Sequence, residues 1–331
     1  MPFNIFNGTT PSLTSLELKG WHIFWESPLL KGLRILKIEL EGSHSRPMLE
    51  DWLNALDQMP QLETLVLQNA SPYAPLTPEP SRTITLPSLT KFRIDASAKD
   101  CVVALAHLVL PALTWLHVDA KSEELEHEDV RLLIPHVLRN VYVLQGTEQL
   151  RNILIGDRKC AEVRAWTMFH DGKSCGTSVP ENLIFIVRSC HWQHGVDTAI
   201  LEALLTQLPL NSVSALNARN IKGLSKEFWL SQAPRWPMLE WASLDLKNIK
   251  PFSDMLAEDA PPDGPRLPSL TKLILEDAEL TVPMAYDLRD MLIERVEQGA
   301  PLEILDLGWG VRDDRAVRLL AEIVVGVDVQ C

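Results

Sequence analysis

Pro87-Ser88-Leu89-Thr90-Lys91-Phe92-Arg93-Ile94 recurs almost letter for letter as Pro268-Ser269-Leu270-Thr271-Lys272-Leu273-Ile274-Leu275. A third copy, Pro11-Ser12-Leu13-Thr14-Ser15-Leu16-Glu17-Leu18, stands near the start. A phrase that returns at such distances marks an internal repeat, and a repeat decides the fold before any local motif does. Scanning outward for Leu-x-x-Leu-x-Leu, with other apolar residues allowed, gives eleven register starts. They are Leu13, Leu33, Leu62, Leu89, Leu113, Leu150, Leu183 or Ile184, Val213, Trp241, Leu270 and Leu302. Their mean spacing is about 29 residues, the upper edge of what leucine-rich repeats show, and the intervals are irregular.

The spacing has a physical meaning. Side chains alternate along a strand, so the last two apolar positions of a unit, such as Leu16 and Leu18, enter the core together, while the first closes it from the turn. A strand this short is stable only beside parallel neighbours, so the units must stack. Pro11, Pro60, Pro87, Pro111, Pro237, Pro268 and Pro301 stand just ahead of these strands. Proline suits a turn there, having a fixed φ and no amide proton for a ladder.

Between the strands the apolar period changes to that of a helix. Leu49, Trp52, Leu53 and Leu56 share one helical face, with Pro47 in the first turn; so do Val102, Leu105, Ala106 and Val109, and then Val130, Leu133, Ile134 and Val137. Further helices are expected over 197–207, 284–298 and 313–325. The expected fold is therefore α/β: a leucine-rich repeat solenoid, or horseshoe, of about eleven irregular repeats with a concave parallel sheet and convex helices. It forms a single domain over 1–331. Two proline-rich loops, 71–86 and 259–268, interrupt it; such loops overhang a binding face in some solenoids and are plain connections in others. The middle, 146–195, carries the weakest signal and reads as irregular repeats.

Composition narrows the function. Hydrophobic residues make up 46% and charged residues 23% of 331, enough for a continuous core. A formal charge of −13, from 44 acidic and 31 basic residues, argues against nucleic acid and anionic membrane and favours a neutral or basic protein partner. Five scattered cysteines without a signal peptide read as reduced thiols in an intracellular, cytoplasmic or nuclear, protein. No apolar run reaches the ~18 residues of a membrane span.

No catalytic signature emerges, and no enzyme is expected. Gly172-Lys173-Ser174 lacks the glycine that a phosphate loop needs at position 167, where Thr167 stands. Cys190-His191-Trp192-Gln193-His194, with Cys175 and His170 upstream, lacks the paired clusters of a structural zinc site. No cofactor or metal is expected. The informative residues are those left on the concave face by the alternation: Ile35, Lys37 and Glu39, then Thr64, Val66 and Gln68, then Lys91, Arg93 and Asp95, then Trp115, His117 and Asp119. Adjacent strands of a parallel sheet lie about 4.8 Å apart, so Arg93 and Trp115 are read as neighbours, and as a binding pair because tryptophan and arginine are enriched where interfaces are strongest. Farther on, the same logic puts Ser243, Asp245, Lys247, Lys272, Ile274, Glu276, Ile304 and Asp306 on that face.

The Pro-Ser-Leu-Thr-x-Leu-x-Leu blocks resemble the irregular leucine-rich repeats of fungal F-box-like proteins, over Phe6 to about Val325. That resemblance implies a target-recognition region of an SCF-type ubiquitin-ligase adaptor, which binds a protein target on its concave face. The F-box, which docks on the ligase scaffold, is not in this chain, whose first repeat starts by Leu13. A ligase scaffold is thus a partner only if an F-box lies outside the chain. The alternative is a repeat-only scaffold or inhibitor with no ubiquitin-ligase role.

Overall fold

The computed structural model describes residues 13–41, 46–73, 75, 81–122, 128–144, 150–157, 161–166, 183–189, 198–219, 224–258, 264–276, 280–307, 314–324 and 326–328. Its strands are β1 (Ser15–Lys19), β2 (Ile35–Glu39), β3 (Thr64–Gln68), β4 (Ile84–Thr85), β5 (Lys91–Ser97), β6 (Leu108–Val109), β7 (Trp115–Ser122) and β8 (Asn152–Asp157). There follow β9 (Ala161–Trp166), β10 (Leu183–Ser189), β11 (Ala215–Arg219), β12 (Trp241–Asp245), β13 (Lys272–Glu276), β14 (Ile304–Asp306) and β15 (Gly326–Asp328). The helices are α1 (Leu49–Asp57), α2 (Ala98–Ala106), α3 (Glu128–Leu144), α4 (Thr198–Gln207), α5 (Lys226–Gln232), α6 (Leu246–Leu256), α7 (Val282–Glu297) and α8 (Asp314–Ala321). None of them is long and apolar enough to cross a membrane.

The chain divides into two compact units, Met1–Glu148 with Glu181–His191, and Gln149–Pro180 with Trp192–Cys331. In the first, β1, β2, β3, β5, β7 and β10 pair in that order, all parallel. In the second the order is β9, β8, β11, β12, β13, β14, β15, parallel except for the antiparallel β8–β9 pair. The result is an α/β protein with mostly parallel sheet and helices between the strands.

Each letter of the repeated phrase has a job. Leu89 N–H donates to the Leu86 carbonyl, closing a turn with Pro87 at its second position; the same bond closes 59–62, 110–113, 236–239 and 267–270 over Pro60, Pro111, Pro237 and Pro268. A φ near −65° is what that position requires, so proline fits without strain. The residue after each buried start then ties unit to unit. The Glu63 carbonyl accepts the amides of Thr90 and Lys91, and the Thr90 carbonyl those of Thr114 and Trp115. In the second unit Glu240 and Thr271 carbonyls do the same for their successors. The threonine hydroxyl adds a bond: Thr90 Oγ1 donates to Glu63 O at 3.2 Å and Thr114 Oγ1 to Thr90 O at 3.1 Å. Leu89, Phe92 and Ile94 are fully buried. Burial of such a side chain contributes about 1.5–3 kcal/mol, gained only when a neighbouring row covers it.

The register places most strands two residues after the expected start, with two corrections. The repeat assigned to Trp241 starts at Leu239, since Leu239, Ala242 and Leu244 are buried and Trp241 is the first strand residue on the opposite face. A small Ala242 in a leucine position hid the true phase. β10 begins at Leu183 itself, without a leading turn residue among the described ones. β9 and β15 follow no Leu-x-x-Leu-x-Leu phrase and are additions to the sequence reading.

Among the helices, Trp52, Leu53 and Leu56 of α1 and Val130, Leu133, Ile134 and Val137 of α3 are buried as their period requires. Pro47 precedes the Met48 cap of α1 instead of entering its first turn. Val109 is not on α2, which ends at Ala106; it is 41% exposed on β6. The helix expected over 313–325 stops at Ala321, and β15 follows. α5 and α6 were not foreseen, and Lys247, expected on a strand, lies in α6, whose internal Pro251 disguises the helical period.

Arginines close the carbonyl ends on the helical side. Arg139 donates to the Leu105 and Leu108 carbonyls at 2.6 and 2.7 Å, and Arg235 to those of Leu205 and Leu208. Arg295 is 1% exposed and donates to Arg266, Leu267 and Leu270 carbonyls at 2.9 to 3.2 Å. Burial pulls its pKa down to about 10, which still leaves it a cation at neutral pH.

Of the proline-rich stretch 71–86, Ser71 and Pro72 are buried and Ile84–Thr85 forms β4. Residues 74, 76–80 and 259–263 lie outside the described residues, as do Gly172-Lys173-Ser174, the Cys190 to His194 cluster, His170 and Cys175.

Candidate functional site

In the first unit, the strand residues that do not enter the core form three rows across β1, β2, β3, β5 and β7. The first is Ser15, Ile35, Thr64, Lys91 and Trp115. The second is Glu17, Lys37, Val66, Arg93 and His117, and the third Lys19, Glu39, Gln68, Asp95 and Asp119. The rows border a groove of about 470 Å³ whose charged lining is Glu17, Lys19, Lys37, Glu39, Lys91 and Arg93, with Trp115 at one side. Four cations thus face two anions there, although the chain carries −13.

Ion pairs organise this face. Lys37 Nζ lies 3.4 Å from Glu17, and Lys19 Nζ lies 3.5 Å from Glu17 and 3.9 Å from Glu39. The hydrogen bond from Lys37, and its charge, hold the Glu17 carboxyl below the usual range. Arg93 grips Asp95 with Nε at 3.1 and 3.2 Å and Nη2 at 2.8 Å. That hydrogen bonding raises its own pKa, with the charges of Asp95, Asp119 and Glu39 acting in the same direction. With its amide turned to satisfy both neighbours, Gln68 donates to Glu39 and accepts from Arg93, each at 3.2 Å. Lys91 is exposed and makes no ion pair among the described residues. The exposed pairs of Glu17 with Lys19 and Lys37 contribute only about 0–1 kcal/mol, so an incoming ligand can displace them cheaply.

The expected residues divide into two sets. Lys37, Glu39, Lys91, Arg93 and Trp115 border the groove, whereas His117 and Asp119 sit beside it and are 9% and 4% exposed. Arg93 and Trp115 are not register partners: Arg93 stands opposite His117, and Trp115 opposite Lys91. The tryptophan ring lies against His117 instead, with centroids 5.8 Å apart. Glu17 and Lys19 were missing from the sequence-derived set, though counting two, four and six residues from Leu13 reaches all three rows.

The corresponding face of the second unit is different. Trp241, Ser243, Ile274 and Asp306, in adjacent rows, are all at most 8% exposed. Ala215, Trp241 and Ile274 form an apolar cluster, and Ser243 Oγ donates to Glu276 at 2.9 Å. Ser243 and Asp306 are therefore corrected from surface to interior.

No protein-family profile matches the chain, and no curated protein is significantly similar to it. Among solved structures, the crystal structure of a TLR13–ssRNA13 complex is similar over 99% of this chain and 37% of that one, at 16% identity and a TM-score of 0.38. This chain thus spans just over a third of that protein's chain.

Proposed function

We propose that the chain is a non-enzymatic leucine-rich repeat protein that binds an acidic segment of a protein partner in the groove of its first unit. The observation that carries this reading is the lining of the groove: Lys19, Lys37, Lys91 and Arg93, the last of them bound to Asp95 just outside it, against Glu17 and Glu39, beside Trp115, in a chain of net charge −13. Overall charge alone favours a basic or neutral partner, but a ligand responds to the potential of the surface it meets. Exposed Lys91 and the displaceable Lys37–Glu17 pair offer charge, and Trp115 offers an aromatic anchor of the kind that dominates interfaces. Attachment to a ubiquitin ligase through an F-box outside this chain belongs to the proposal as well, and rests on the resemblance of the Pro-Ser-Leu-Thr blocks.

The test is a peptide array probed with the full chain, graded from acidic to basic, with single-stranded RNA as a competitor. Acidic peptides should bind in a salt-sensitive manner, and Lys37→Ala with Lys91→Ala, both away from the buried Asp95, should weaken them at least tenfold without lowering Tm appreciably. Preference for basic peptides, or displacement of the peptides by RNA at lower concentration, would overturn the assignment. Failure to co-purify with a ligase scaffold would remove the adaptor role and leave a scaffold or inhibitor.

A further inference from the structure

Beside the groove, Asp95, His117 and Asp119 bring three ligand atoms within 4.8 Å of one another, and all three residues are buried. The register explains the meeting. Asp95 and Asp119 are partners across the β5–β7 pair, and His117 precedes Asp119 by two residues on the same face. Two carboxylates directly opposite one another in a sheet repel, and burial sharpens the repulsion. Arg93 is bonded to Asp95, and the carboxylates acting on it are Asp95, Asp119 and Glu39. Lys19 lies 3.9 Å from Glu39 and Arg93 holds Asp95, while His117 Nε2 stands 4.0 Å from Asp95 Oδ1, so the imidazole and the two buried carboxylates converge on one point.

We propose that Asp95, His117 and Asp119 bind a divalent first-row transition metal ion, of the Zn²⁺ class. One imidazole nitrogen with two carboxylate oxygens is a donor set suited to such ions, whereas Ca²⁺ and Mg²⁺ take oxygen alone. Bonds of about 2.0–2.2 Å at tetrahedral angles put ligand atoms about 3.3–3.6 Å apart, so side-chain rotations that shift these atoms by about an ångström close the present triangle. A neutral His117 makes the two carboxylates and one divalent ion a neutral set.

The surroundings resemble a supporting shell. Arg93 fixes the orientation of Asp95, and the Trp115 ring restrains the His117 imidazole. On the other side, Ile184 and Ile186 of β10 stand opposite His117 and Asp119 and are themselves buried. Apolar neighbours lower the local dielectric and strengthen attraction between the carboxylates and a cation. The competing way to supply positive charge is a proton on His117, which makes the cluster a structural salt-bridge network with no metal.

Purified full-length chain, dialysed against Zn²⁺ and then against metal-free buffer, should retain one more equivalent by elemental analysis than the His117→Gln and Asp119→Asn variants. Zinc affinity at that site should fall at least tenfold in each variant. The comparison with variants removes any contribution from Cys190, His191 and His194. Because a variant can lose its fold, the wild-type protein supplies a second readout. The ¹⁵N shifts of the His117 ring should move on adding one equivalent of Zn²⁺. Equal zinc retention in wild type and folded variants, or a His117 ring that stays an imidazolium and is unmoved by Zn²⁺, would overturn the proposal in favour of the protonated network. Either result leaves the peptide array above unaffected.

Discussion

The two units use the same turn, the same backbone ties and the same kind of core, yet their other sheet faces differ at the positions that line the groove. In the first unit that face carries Lys37, Lys91 and Arg93 around an open groove. In the second, Trp241, Ser243, Ile274 and Asp306 occupy equivalent positions and are buried. The scaffold therefore leaves this face free to vary, because its side chains do not contribute to the leucine rows that hold the units together. Binding chemistry belongs to the variable positions and stability to the repeated ones.

The sharpest way to probe the difference is on the helical side, where both units use arginine. Arg295→Ala in the second unit removes a buried cation and strands three carbonyls. It should cost roughly 3–5 kcal/mol, read as a shift in denaturant midpoint. Arg139→Ala in the first unit, where the side chain is exposed and bonds two carbonyls, should cost about 1–2 kcal/mol. Equal losses would mean that burial does not distinguish these devices.

Tryptophans on the equivalent sheet faces test the contrast directly. Trp241→Ala should destabilise by about 3 kcal/mol, because it empties a buried position beside Ala215 and Ile274. Trp115→Ala should cost about 1 kcal/mol, since the side chain is only half-buried, and should instead weaken the acidic ligand. A stability loss at Trp115 as large as at Trp241 would remove the distinction between the faces.

The smallest expected effect is a pH dependence that arises in the first unit. His136 of α3 has its pKa lowered from 6.5, first by burial and then by the charges of Arg139 and His107. A folded pKa below the unfolded one means that the unfolded chain binds the proton more readily. Its contribution is fully present above pH 6.5 and is lost as pH falls from there through the lowered value. His136→Gln should flatten that slope in melts between pH 7 and pH 5.

Much of the architecture was legible in the sequence because burial is periodic. Leu33, Leu62, Leu89, Leu113 and Leu270 each announce a strand two residues later, and proline marks the turn before most of them. The phase failed at Trp241, where a bulky residue sits on the other face and Ala242 takes the core position. Nothing local distinguishes an inward from an outward tryptophan. The antiparallel β9 and the return of the chain to the first unit at β10 were hidden for a related reason: pairing between distant segments leaves no trace in the spacing of either one.

What the sequence determined by itself is the register. Counting from Leu89 and Leu113 puts Arg93 with His117 and Asp95 with Asp119, since a parallel ladder of equal offsets aligns equal positions. What only the tertiary structure decided is the environment of those rows. Burial of Asp95, His117 and Asp119, the grip of Arg93 on Asp95, and the groove lined by four cations depend on β10 and on how side chains from five strands share one surface. Each strand encodes which way a residue points, but its charge balance and solvation are set by neighbours encoded tens of residues away.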